Sequence, residues 1–100
     1  MKKRIFYHLN RRPGLTAIPP TKFDSFGKLP EPVIFITDKE HINYWAAYIR
    51  DNQPQRSVYV YEIEVPVDAR IEIGPDGAAN GDFRLITHQP VKCEFLYQFF

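Results

Sequence analysis

The sequence predicts an α+β domain with a compact split or mainly antiparallel sheet of about six short strands and one main helix. Two observations predict this. Apolar and polar residues alternate with a period of two over Val58–Val65, while only residues 39–50 carry apolar side chains at helical spacing. Turn signals at Asp51-Asn52-Gln53-Pro54, Asn80-Gly81 and His88-Gln89-Pro90 cut the rest into short pieces, with no second helix to make the sheet doubly wound.

Taken in order, Arg4–Asn10 reads as a strand. Ile5, Tyr7 and Leu9 share one face and Phe6 and His8 the other, and bulk on both faces predicts a central position. Residues 11–32 read as a long loop, because five of the nine prolines (Pro13, Pro19, Pro20, Pro30, Pro32) fall there and proline removes ladder donors. A loop of that length in a small domain is usually functional or mobile. Val33–Thr37 is a short buried strand that runs into the helix, with Asp38 or Thr37 as its N-cap. Ile42, Trp45, Ala46 and Ile49 form the helix's apolar stripe, and His41, Tyr44 and Tyr48 line a neighbouring face. Pro66 stops the strand that begins at Val58. Arg70–Ile73, Phe83–Thr87 and Val91–Phe99 are the remaining strands, with a flexible turn over residues 74–81.

One hundred residues make a single domain, 1–100, that buries roughly 65% of its unfolded surface. A net charge of +1 provides no broad field toward nucleic acid or membranes. Lys2, Lys3, Arg4, Arg11 and Arg12 cluster near the start, which suits solubility or a contact from Arg11 or Arg12 to ligand phosphates. Cys93 is alone, so no internal disulfide forms, and its apolar strand neighbours predict a buried, inert thiol. Met1 with no apolar leader and no span of roughly 18 apolar residues gives an expectation of a cytoplasmic protein without membrane contact.

The residues suited to chemistry are few. His8, His41 and His88 lack metal-ligand spacing, so no metal is expected. Ser25 and Ser57 have no nucleophile-elbow context, and the glycines at 74, 77 and 81 make a turn rather than a phosphate cradle. Glu62 and Glu64 read as a solvated strand face, with either one a substitute site acid if Asp82 is not. Tyr59, Tyr61, Phe83, Phe95, Tyr97 and Phe99 alternate as core rather than as a base-stacking platform. The apolar end Tyr97-Gln98-Phe99-Phe100 completes the sheet or marks a homodimer or partner contact.

The order of segments adds a resemblance. Phe6-Tyr7-His8 comes first, then Phe35-Ile36-Thr37 entering a helix with Tyr44-Trp45-Ala46-Ala47. An alternating strand follows and bends at Pro66-Val67-Asp68-Ala69, and Asp82 then precedes an apolar strand and a proline turn. This order, from Ile5 to Phe95, resembles the small, histidine-first branch of the ADP-ribosyltransferase-like family. The resemblance implies an NAD-dependent transferase that moves ADP-ribose to an acceptor: protein, nucleic acid or small molecule. His8 would bind the ribose and amide parts of the dinucleotide, with Tyr7 and Thr37 also among the cofactor-binding residues. Phe35 and Tyr44 would shelve the nicotinamide, Arg11 or Arg12 would touch the pyrophosphate, and Asp82 with His8 would serve catalysis. The family's usual acid is glutamate, one methylene longer. That difference and the short chain point to the alternative, a non-catalytic module binding a nucleotide-like ligand or a protein. A phage or toxin-type effector is a context for either.

Overall fold

A computed structural model describes residues 3–24 and 26–100; Lys2 of the basic cluster and Ser25 lie outside the described residues. Among the described residues nine strands form, not six: β1 (Lys3–Asn10), β2 (Ala17–Ile18), β3 (Thr21–Asp24), β4 (Gly27–Ile36), β5 (Val58–Pro66), β6 (Ile71–Ile73), β7 (Phe83–Ile86), β8 (Val91–Lys92) and β9 (Glu94–Phe99). The one α-helix among the described residues, α1 (Ile42–Asn52), follows a 3-10 turn over Lys39–His41. All strand pairs are antiparallel, in sheets ordered β1-β5-β9, β3-β4-β7-β6 and the two-stranded β2-β8. The chain is therefore an α+β domain with a mostly antiparallel core and one main helix.

The 11–32 segment is a correction. Instead of a loop it carries β2, β3 and the first half of β4. Proline density hid these strands, and the pairing shows why the prolines are tolerated. β4 meets β7 only over Val33–Ile36, so around Pro30 and Pro32 one edge of β4 needs few donors. On the other edge the β3–β4 register slips between Thr21 and Phe23.

β5, rather than β1, is the centre of its sheet. β1 pairs along its whole length with β5 alone. Its bulk on both faces has another cause. Phe6 packs edge-on against Phe83 of the other large sheet, at 6.0 Å between ring centres. Tyr7 makes a two-bond bridge to Thr37, just past β4: Tyr7 N–H donates to the Thr37 carbonyl at 2.9 Å and Thr37 N–H returns to Tyr7 at 2.8 Å. That bridge is the backbone junction between the two larger sheets among the described residues.

The core lies between these sheets. Tyr61, Ile63 and Val65 of β5 pack with Ile34 and Ile36 of β4, Leu85 of β7, Ile18 and Cys93. Burial holds the Cys93 thiol above its usual pKa, in keeping with an inert group. The alternating aromatic stripe is core only in part. Tyr61 is fully buried, but Phe95 and Tyr97 on β9 are 51% and 42% exposed. β9 is the last strand of its sheet, and Leu96 between these two residues is exposed as well. Among the described residues no helix is long and apolar enough to cross a membrane.

Tyr61 ties the turn after β1 to this core. Its hydroxyl donates to the Arg12 carbonyl at 2.5 Å and accepts from Leu15 N–H at 3.2 Å. Tyr61→Phe removes both bonds and leaves two backbone groups unpaired, so urea unfolding is expected to show a loss of about 1–3 kcal/mol with an unchanged slope.

Candidate functional site

Asp38 starts the helical segment. Its carboxylate accepts from His41 N–H at 3.1 Å, as the sequence predicts for a cap. Capping there fixes the phase of α1, and Ile42 and Ala46 of the apolar stripe become buried. Trp45 and Ile49 from the same stripe, with Tyr48, turn toward β1 and the end of β4. Between them lies a cavity of about 260 Å³.

Three separate segments build its other walls. Tyr7, His8 and Leu9 come from β1, and Phe35, Ile36 and Thr37 from the end of β4 and its exit. Asp82 comes from the loop before β7. The Tyr7–Thr37 bridge holds the first two segments together. A second tie runs between the same strands: His8 Nδ1 is 2.6 Å from the Phe35 carbonyl. A carbonyl only accepts, so Nδ1 carries the proton. In the neutral ring Nε2 is then left as an acceptor at the cavity wall. Burial lowers the His8 pKa below the usual histidine value, opposed in part by that carbonyl. The ring is neutral at pH 7.

Asp82 is 9% exposed and, among the described residues, is the one charged side chain lining the cavity when His8 is neutral. One of its oxygens accepts from Asp76 N–H at 2.8 Å. Its main chain is held as well: Gly74 N–H donates to the Asp82 carbonyl at 2.8 Å, and Asp82 N–H donates to the Gly77 carbonyl at 3.2 Å. Gly74 is required by close approach. A Cβ there would stand 2.4 Å from the Asp82 carboxyl carbon and from both its oxygens. Gly81 is required twice over, by its φ of +66° and by a would-be Cβ 2.5 Å from Thr37 Oγ1. Thr37 is 3% exposed, and its hydroxyl has no hydrogen-bond partner among the described residues.

Tyr7, His8, Phe35, Thr37 and Asp82 thus meet at one cavity. Two expected residues do not. Tyr44 is 48% exposed and outside the cavity wall, its ring edge-on to Trp45 at 5.1 Å. Arg11 points at the far end of α1, where its guanidinium donates to the Gln53 carbonyl at 3.1 Å and also to the Ile49 carbonyl. It is a C-terminal cap for the helix rather than a cavity residue. In place of Tyr44 stand Trp45, Tyr48 and Ile49. Their i, i+3, i+4 spacing was the signal that could have found them as one face. Tyr48 packs edge-on to Trp45 at 5.4 Å, and the Arg84 guanidinium sits 5.3 Å from the centre of the Phe35 ring.

Glu64 lies exposed and ion-paired to Lys3 at 3.4 Å, but the face is not solvated along its length: Glu62 is half-buried and Val58 and Val60 are fully buried. Neither Glu62 nor Glu64 reaches the cavity, so Asp82 has no competitor there. Among the described residues no three His, Cys, Asp or Glu side chains gather as metal ligands.

No family model matches this chain, and no curated protein or solved structure matches it either.

Proposed function

We propose that the cavity binds the nicotinamide end of NAD and that the domain is an ADP-ribosyltransferase-like enzyme. One observation carries this: β1, the end of β4 and the loop before β7 bring one neutral imidazole, one buried carboxylate and aromatic walls to a single cavity at the junction of two antiparallel sheets. At about 260 Å³ the cavity sits just under the roughly 300–1,000 Å³ range of drug-sized sites, which suits one end of a dinucleotide rather than all of it.

The chemistry follows from those groups. The bond from the ribose anomeric carbon to the nicotinamide nitrogen breaks, and its electron pair leaves with the nicotinamide. Positive character develops on the sugar, and the Asp82 carboxylate stabilises it. An acceptor hydroxyl or amine then bonds to that carbon, and its proton passes to Asp82 or to water. Trp45, Tyr48 and Phe35 shelve the leaving ring. His8 Nε2 accepts from a ribose hydroxyl, a bond that exists only while the ring is neutral.

Incubation with labelled NAD tests the proposal by nicotinamide release or label transfer. Ligand at 100 times its dissociation constant stabilises the fold by about 2.7 kcal/mol, so a thermal shift with NAD is the first observation to make. NAD stabilisation without release supports the non-catalytic module instead. The shorter reach of aspartate and its tie to Asp76 would account for that second outcome. Trp45→Ala is expected to remove a stacking contact of about 1–3 kcal/mol from NAD binding, whereas Tyr44→Ala leaves binding unchanged; calorimetric titration of both variants checks this.

The sign of the pH dependence is fixed by His8. Its folded pKa lies below its unfolded value near 6.5, so the unfolded chain binds more protons between the two. Ligand binding is expected to hold at neutral pH and fall as the pH drops through the lowered value. The His8 contribution to stability begins to fall earlier, below about pH 6.5.

A further inference from the structure

We infer that β9 is the contact edge of a homodimer: two copies pair their β9 strands antiparallel across a two-fold axis, and Arg50 of each copy meets Glu94 of the other. This edge lies across β5 from β1, which lines the cavity, so the pairing is independent of the proposed function.

On one side β9 pairs with β5 alone, and its other side presents backbone groups that no strand among the described residues takes up. Charges, prolines and covering segments usually guard such an edge. Residues 94–100 contain one charge, Glu94, and no proline, while Phe95, Leu96, Tyr97 and Phe100 are exposed. Leu96 has no partner on β5, so its side chain is free for a new neighbour. The edge is also held ready for pairing. The Ser57 hydroxyl donates to the Phe100 carbonyl at 3.1 Å and accepts from the Gln98 side-chain amide at 3.0 Å, which ties the end of β9 to the residue before β5. A strand fixed before association loses less entropy when it pairs.

Charge selects the occupant. Glu94 stands directly opposite Glu62 on β5, and like charges in that position repel. Neither forms an ion pair among the described residues. Arg50 stands at the other end of the strand. Its guanidinium lies 4.1 Å from the centre of the Phe100 ring, and no carboxylate pairs with it among the described residues. Glu94 shares the sheet face of α1: Glu62 alternates with Val60, and Val60 lies opposite Leu9, which lines the cavity with Trp45 and Ile49. A two-fold axis normal to the sheet keeps that face on one side in both copies and reverses the strand. The partner's Glu94 then arrives beside Phe99 and Phe100, where Arg50 waits, and the same contact forms at the other end. Parallel pairing would set Arg50 against the partner's Arg50. A strand from another protein would have to bring both a cation for Glu94 and an acid for Arg50; a second copy carries both.

Sedimentation equilibrium on the full chain tests the pairing. A monomer–dimer equilibrium is expected, and Leu96→Lys, at an exposed position, is expected to shift it to monomer. Glu94→Lys and Arg50→Glu each set like charges together at both contacts, and each is expected to weaken the dimer about tenfold. Glu94→Lys also removes the repulsion from Glu62, so its effect is not a weakened fold. Mixed in equal amounts, the two variants restore opposite charges at both contacts and are expected to form a heterodimer about as tight as the wild-type dimer. A wild-type chain that stays monomeric up to about 1 mM overturns the inference and leaves the edge to a different strand. A dimer that Leu96→Lys leaves intact, or a mixture of the charge variants no tighter than either one alone, overturns it too.

Discussion

Asp82→Asn is expected to lower nicotinamide release by about 100- to 1,000-fold, the usual effect of deleting one electrostatic group aimed at developing charge. The substitution is close to isosteric. An asparagine oxygen can still accept from Asp76 N–H, so the loop stays in place and NAD binding survives. Gly74→Ala provides an independent check without touching the carboxylate. Its Cβ would fall 2.4 Å from the Asp82 carboxyl group, which must move aside. A displacement near 1 Å costs about 100-fold in positioned chemistry. Steady-state release assays on the two variants should show kcat falling in both while the dissociation constant for NAD changes little. Release at the wild-type rate by Asp82→Asn would remove this carboxylate from the mechanism.

The second large effect is expected at His8. His8→Asn retains a short side-chain amide that can reach the Phe35 carbonyl in place of Nδ1, but it has nothing in the position of Nε2. Losing that acceptor leaves a ligand hydroxyl unpaired at a cost of about 1–3 kcal/mol, or roughly 5- to 150-fold in affinity. His8→Ala loses the tie to Phe35 as well, so its melting temperature should fall along with its affinity. Comparing the two by thermal shift and calorimetry separates the ligand's use of the ring from the fold's use of it. Equal NAD affinity in wild type and His8→Asn would mean that Nε2 makes no contact.

Much of the site was legible because it is carried by local chemistry. Tyr7-His8 on a strand, Phe35 and Thr37 at a strand end, and Asp82 beside glycines are visible as short patterns, and the fold brings all of them to one place. Asp38 was legible as a cap for the same reason. The rest depended on long-range geometry. Arg11 looked free because nothing near it in sequence shows that the last carbonyls of α1 lie within its reach. Tyr44 and Trp45 are adjacent, and only the docking of α1 on β1 and β5 decides which ring turns inward. β3 and the first half of β4 were hidden because proline suppresses the strand signal, while an edge with few ladder bonds accepts it. β1 looked central because both its faces carry bulk, but its second face is covered by side chains of another sheet rather than by a neighbouring strand.

The pair of hydrogen bonds between Tyr7 and Thr37 has a consequence for measurement. Both donors belong to residues of the cavity wall, and both bonds must break for the two sheets to part there. Their amide protons are therefore a built-in strain gauge. Deuterium uptake at these two positions, followed with and without a ligand, reads how often the cleft gapes and how firmly an occupant holds it shut.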